Sequence, residues 1–318
     1  MIVARLGSQQ AKGVLGQTKT NSSVSGRTKM NYSVMQEGSN RSDEPRSKSP
    51  LAFFLMAFAL YVPFVMWANV RTFAVGAFLP VIAALILVYR ENRTAGMVEL
   101  LRRSFDYKRI KSRIWYLPIL LLYPCLVFMQ YGMALLSGVP VSSPQFSLWT
   151  LVGFALVFVL ALGEELGWMG YAFDPMQERL GALKASLVLG PLWASVHIAL
   201  FLGGGASSYW IAWQSIYIVA TRVLFVWIYN NTGRSVFAVA LLHTMFNFVW
   251  QVFPPGAGGL LVPSFYSPST LALTTIVLAA IVTFLWGPET LARYRYVLPL
   301  ALPSSQARSS QPTSIGPT

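Results

Sequence analysis

Apolar runs of membrane-spanning length constrain this chain more than any other feature. Read for stretches able to cross about 30 Å of hydrocarbon at about 1.5 Å per helical residue, the 318 residues contain eight: roughly 51–69, 73–89, 115–137, 148–168, 185–202, 209–229, 235–252 and 270–286. Their length argues for helices, because a barrel strand crosses with only about ten strictly alternating residues. Trp and Tyr gather at many of their ends (Trp115 and Tyr116, Trp149, Tyr209 and Trp210, Trp227 and Tyr229, Trp286), as interfacial anchors do. Composition agrees: the chain is 55% hydrophobic and 11% charged, with a mean hydropathy of +0.54, whereas a soluble surface needs about a quarter of the chain charged. The expected fold class is an all-α polytopic membrane protein of about eight transmembrane helices in the cell membrane.

The formal net charge of +13 would suggest a nucleic-acid partner in a soluble protein. Its placement says otherwise. Of the 24 Lys and Arg residues, 22 fall in the N-terminal tail, the segments 90–114, 169–184 and 230–234, and the C-terminal tail, leaving Arg71 on the opposite side and Arg222 inside a span. This segregation puts both termini in the cytoplasm by the positive-inside rule, with anionic lipid as the natural counter-charge. No basic groove with interleaved aromatics accompanies it, so nucleic acid is not expected as a partner. Residues 1–50, rich in Ser, Asn, Gly, Lys and Arg and without a signal-peptide core, read as a disordered cytoplasmic tail. Residues 51–287 form the transmembrane domain, and 288–318 a second cytoplasmic tail. The stretch Met97 to Phe105 sets Val98, Leu101 and Phe105 against Arg102 and Arg103. It reads either as a short amphipathic surface helix or as a solvated basic loop. The single cysteine, Cys125, excludes an intramolecular disulfide and a Cys-rich zinc site.

Polar groups inside spans are costly and mark function by default. Glu164 and Glu165 stand near the end of the fourth span, and His197 lies in the fifth, four residues after Trp193. His243 and Asn247 share a face of the seventh at a spacing of four, and Arg222 sits in the sixth. The only two histidines of the chain are therefore both intramembrane. Adjacent glutamates on a helix point about 100° apart, so one suits chemistry and the other orientation. A carboxylate, two imidazoles and an amide in one cavity suit hydrolysis, with a general base on water and donors for an oxyanion. Two histidines and a glutamate also suit zinc with an open position, although a His-Glu-x-x-His helix is absent. A serine hydrolase is excluded by the lack of a Gly-x-Ser-x-Gly elbow. The non-catalytic alternative has both histidines bonded to helix carbonyls and the glutamates snorkelling. Arg222 alone suits a counter-ion.

In order and spacing these residues resemble the CaaX protease and bacteriocin-processing (CPBP, or Abi) family of intramembrane proteases, bacterial branch. The motifs are Glu164-Glu165 followed by Met169, Trp193 to His197, and His243 to Asn247. Trp115-Tyr116-Leu117 after basic residues is similar too, so the resemblance covers roughly residues 95–250. It implies an endopeptidase in which Glu164 and His197 activate water, His243 and Asn247 form the oxyanion hole and Glu165 supports. The cavity opens toward the cytoplasm and takes a peptide or membrane-protein segment in the bilayer. The cofactor it implies is none, or a divalent metal such as zinc held by Glu164, His197 and His243. Met169 stands where the family motif has arginine; Arg222 is expected to replace that cation if its side chain reaches the glutamates. The competing functions are a non-catalytic scaffold or bacteriocin self-immunity protein, and an ion-coupled transporter. The transporter predicts a repeat between halves, and the sequence has none.

Overall fold

The computed structural model describes residues 48–67, 73–256 and 262–292, and every regular element among them is helical. Helix α1 (Pro50–Trp67) is followed by a 3-10 turn (Phe73–Phe78) leading into α2 (Leu79–Arg102). Two 3-10 turns (Arg103–Arg109 and Arg113–Trp115) lead to α3 (Tyr116–Leu136). Helix α4 (Leu148–Gly167) passes through a π-helical turn (Trp168–Phe173) into α5 (Asp174–Leu180). Then come α6 (Ala182–Gly203), α7 (Ser208–Asn231), α8 (Val236–Phe248) with a 3-10 extension (Val249–Val252), and α9 (Pro268–Trp286). Six helical stretches are long and apolar enough to cross a membrane, and the shorter apolar helices Pro50–Met66 and Val236–Val252 stand at the first and seventh apolar runs. The chain is a multi-pass membrane protein.

The structure adds helix where the sequence suggested loop. Residues 169–180 continue α4 through the π turn and α5 instead of looping out, and α2 runs on past the span to Arg102. That continuation is broken at Asn92 (φ −131°) and Arg93, whose φ of 54° is left-handed, so the chain turns sharply before Thr94. Residues 1–47, 68–72, 257–261 and 293–318 lie outside the described residues, and with them Arg71 and nearly all of both tails.

Contacts gather the basic segments at one end of the bundle. Arg103 donates to the carbonyls of Gly170 and Arg234 and to the Tyr229 hydroxyl. Lys48 Nζ donates to Gly170 O, and burial lowers the pKa of its amine from the ordinary value. The carbonyls of Pro288 and Glu289 accept the first free N–H groups of α6, from Leu183 and Ala182. The beginning of the segment read as a C-terminal tail is thus docked. At the opposite end Gln130 bonds Ser267, and Tyr131, Phe253 and Phe265 pack ring to ring.

Asp106 fixes the depth of α8. Its carboxylate accepts from Ser235 Oγ and from the N–H groups of Val236 and Phe237, while Ser235 Oγ accepts from Ala238 N. An acid at a helix N-terminus satisfies orphan donors and opposes the helix dipole. At 13 residues α8 spans about 20 Å, and its four-residue 3-10 extension adds about 8 Å. A secured start therefore decides where His243 lies across the membrane. Helix α7 runs through the centre of the bundle, buried almost throughout its inner half.

Candidate active site

The glutamate pair is seated by two glycines. A Cβ on Gly163 would lie 2.8 Å from Ala77 O, and one on Gly167 would lie 2.6 Å from Pro80. Gly163-x-x-x-Gly167 therefore lets α4 approach the start of α2 backbone to backbone, the known use of small residues between membrane helices. The π turn begins at the next residue, Trp168. Such turns widen the helix and leave carbonyls outside the regular ladder, and here Gly170 O is taken by Arg103 at 2.8 Å and Met169 O by the Tyr229 hydroxyl at 3.4 Å.

The two glutamates meet different partners. Glu164, 9% exposed, accepts a hydrogen bond from Trp193 Nε1 at 2.7 Å through Oε2. Glu165, fully buried, is bound by Arg222 Nη1 at 3.0 Å and by His243 Nδ1 at 2.9 Å. Arg222 is itself fully buried and stacks over the Trp193 ring with its guanidinium carbon 4.0 Å from the centroid. Its Nε and Nη2 have no hydrogen-bond partner among the described residues. The Trp193 ring also lies edge-on to both imidazoles, with centroids 5.5 Å from His197 and 5.2 Å from His243. One indole, from α6, thus touches Glu164 of α4, Arg222 of α7 and His243 of α8.

Proton positions follow from the partners. The Trp193 carbonyl, 2.9 Å from His197 Nδ1, can only accept, so Nδ1 carries hydrogen and Nε2 of the neutral ring offers a lone pair. A carboxylate at His243 Nδ1 fixes that proton likewise. With Nδ1–H directed at Glu165, His243 donates through Nε2 only when the ring carries both protons. The Glu164 carboxylate and the His197 ring are within electrostatic reach of one another.

The structure brings Glu164, Glu165, His197 and His243 together as the sequence leads one to expect, and it places the Arg222 guanidinium on Glu165. Asn247, one turn beyond His243, is exposed and makes no hydrogen bond among the described residues. Met169 is fully buried. No group of three or more His, Cys, Asp or Glu side chains among the described residues is disposed to hold a metal ion. Sequence reasoning missed two functional contacts: the indole bond to Glu164 and the stacking of Arg222. A Trp four residues before a His within one span was the available signal, because an indole N–H in a bundle needs an acceptor.

Comparison with known proteins converges on this site. Residues 145–249, which carry the whole constellation, match the family described as "Type II CAAX prenyl endopeptidase Rce1-like". "CAAX prenyl protease 2" of Methanococcus maripaludis is 27% identical over 191 residues, 54% of this chain and 68% of that protein.

Proposed function

We propose that the chain is a membrane peptide hydrolase of the kind its Rce1-like CAAX prenyl endopeptidase match suggests, and that Glu164, Glu165, His197, His243 and Asn247 perform its reaction. With Oε2 held by the indole, Glu164 takes a proton from water through Oε1, and His197 Nε2 holds the same water by its second hydrogen. The hydroxide attacks the peptide carbonyl carbon, and the electron pair moves onto oxygen. That oxyanion faces Nε2 of His243, which donates to it when the ring carries both protons, and the amide of Asn247. Collapse re-forms the carbonyl and breaks the C–N bond, and the proton held by Glu164 passes to the leaving amine. The cavity opens to the cytoplasmic side, and the substrate is a peptide near the membrane interface, with a prenylated C-terminal peptide as the first to test. Glu165 bound at once by His243 and Arg222 is the observation that carries this reading: such a buried carboxylate orients a neighbour and is unsuited to be the base itself.

Purified protein is given quenched fluorescent CaaX peptides with and without a farnesyl group. Wild type cleaves, and Glu164→Ala and His243→Ala each lose at least about a hundredfold in turnover, the scale of one essential acid–base or oxyanion group. Equal turnover in all three proteins sinks the catalytic assignment and leaves the scaffold reading.

A further inference from the structure

The segment between α2 and α3 has two faces, and the site uses only one. After the break at Arg93 the chain is helical to Arg102 and continues as a 3-10 turn to Arg109. Its inner side carries buried Gly96, Leu100 and Ser104 together with Arg103. Leu100 Cδ1 would stand 3.1 Å from a Cβ on Gly170, and Arg103 bonds the Gly170 carbonyl. This face rests on the π turn that follows the glutamates. The outer side carries Val98, Leu101 and Phe105 at 46%, 44% and 68% exposure, spaced three and four apart and so on one stripe. Around them Arg93, Arg102, Lys108, Arg109, Lys111 and Arg113 are all exposed, and Glu99 is the one fully exposed acid of the segment. The segment runs from the backbone break at Asn92 and Arg93 to the apolar helix that begins at Tyr116, which puts it at the level of lipid headgroups where the chain turns between two apolar helices. An apolar stripe flanked by cations at that level matches an anionic bilayer surface in both area and charge.

We propose that residues 94–113 dock on an anionic leaflet through Val98, Leu101, Phe105 and the surrounding Lys and Arg, and that this contact seats Arg103 on Gly170 and steadies the glutamate pair. The occupant is lipid rather than a second copy, because the spans at both ends already hold the stripe at the membrane. The effect on turnover rests on the proteolytic reading given above. The docking itself does not.

The full chain with Cys125→Ser and Leu101→Cys is nitroxide-labelled and reconstituted in vesicles of phosphatidylcholine, or of phosphatidylcholine and phosphatidylglycerol in equal parts. Collisions of the label with oxygen and with an aqueous nickel chelate are then compared by electron spin resonance. With phosphatidylglycerol the label is shielded from nickel and open to oxygen. In phosphatidylcholine alone it moves toward water. Replacing Arg102, Lys108, Lys111 and Arg113 together by Gln removes the difference between the two compositions. A label equally wet in both, or equally deep in both, overturns the docking, and so does protection that appears only as protein density rises, which indicates self-association. Turnover of wild type rises at least about threefold with phosphatidylglycerol, and added salt or the four-Gln variant abolishes the rise. Equal turnover alongside a docked label overturns the link to the site. Absence of turnover in every vesicle counts against the protease reading alone, and the label still decides the docking.

Discussion

Arg222 brings a full charge into an apolar bundle and is matched by a single carboxylate, Glu165. Its flat face lies on Trp193, whose Nε1 holds Glu164, so one side chain of α7 organises both glutamates of α4. Removing one member of a buried pair leaves the other charge uncompensated, at a cost of about 3–5 kcal/mol, and a desolvated cation–π contact adds about 2 kcal/mol. Arg222→Met is therefore expected to lower unfolding stability by several kcal/mol, measured by thermal denaturation in detergent. Glu165→Gln combined with Arg222→Met recovers most of that loss, and a double variant as unstable as the single one contradicts the pairing. Met169, four residues after Glu165, lies on the same side of its helix at helical spacing. Met169→Arg in the Arg222→Met protein accordingly recovers turnover by at least about tenfold, or about 1.4 kcal/mol of barrier, assayed on the same quenched peptides. The residues that carry this network were legible by type, since an acid, an arginine or a histidine within a span is conspicuous. Their pairing was not, because Arg222 meets Glu165 across 57 positions and His243 meets it across 78, and no local spacing encodes such a contact.

At the scale of elements, close approach and a secured helix start place the proposed catalytic side chains. Helix α4 rests against the start of α2 only because Gly163 and Gly167 lack side chains. Gly167→Ala drives a methyl group into the Pro80 backbone, and overpacking of this kind costs about 1–3 kcal/mol. It is expected to lower both thermal stability and turnover, whereas Gly132→Ala, with nothing within 4 Å of the added carbon, leaves both unchanged. Asp106→Ala strips the start of α8 of its acceptor and costs about 0.5–2 kcal/mol. Lower turnover with little change in KM is the expected sign that His243 has shifted. The glycine spacing was present in the sequence, but a Gly-x-x-x-Gly pair enclosing two glutamates reads first as part of an acidic motif. Only the fold shows which helix it admits. The π turn has no such signal, because its cause lies in Leu100, Arg103 and Tyr229 pressing on it from other elements.

For the whole molecule, the apolar runs already contained the order of the apolar helices, of which six are long enough to cross a membrane and two, Pro50–Met66 and Val236–Val252, are shorter. The side each loop is expected to occupy comes from the charge pattern, and labelling tests it. In a Cys125→Ser protein, Ser142→Cys reacts with an impermeant maleimide added outside intact cells, and Ser112→Cys reacts only after permeabilisation. The opposite pattern overturns the cytoplasmic placement of the basic loops and of both termini. The same order along the chain has a consequence for biosynthesis. Arg222 is translated 57 residues after Glu165, and His243 later still. While α4 is entering the bilayer its two acids have neither cation nor imidazole beside them, and an unpaired carboxylate in hydrocarbon either takes up a proton or keeps the helix end in the headgroups. Helix α4 is therefore expected to reach its final depth only after α7 and α8 have been inserted, so the proposed site assembles late in insertion.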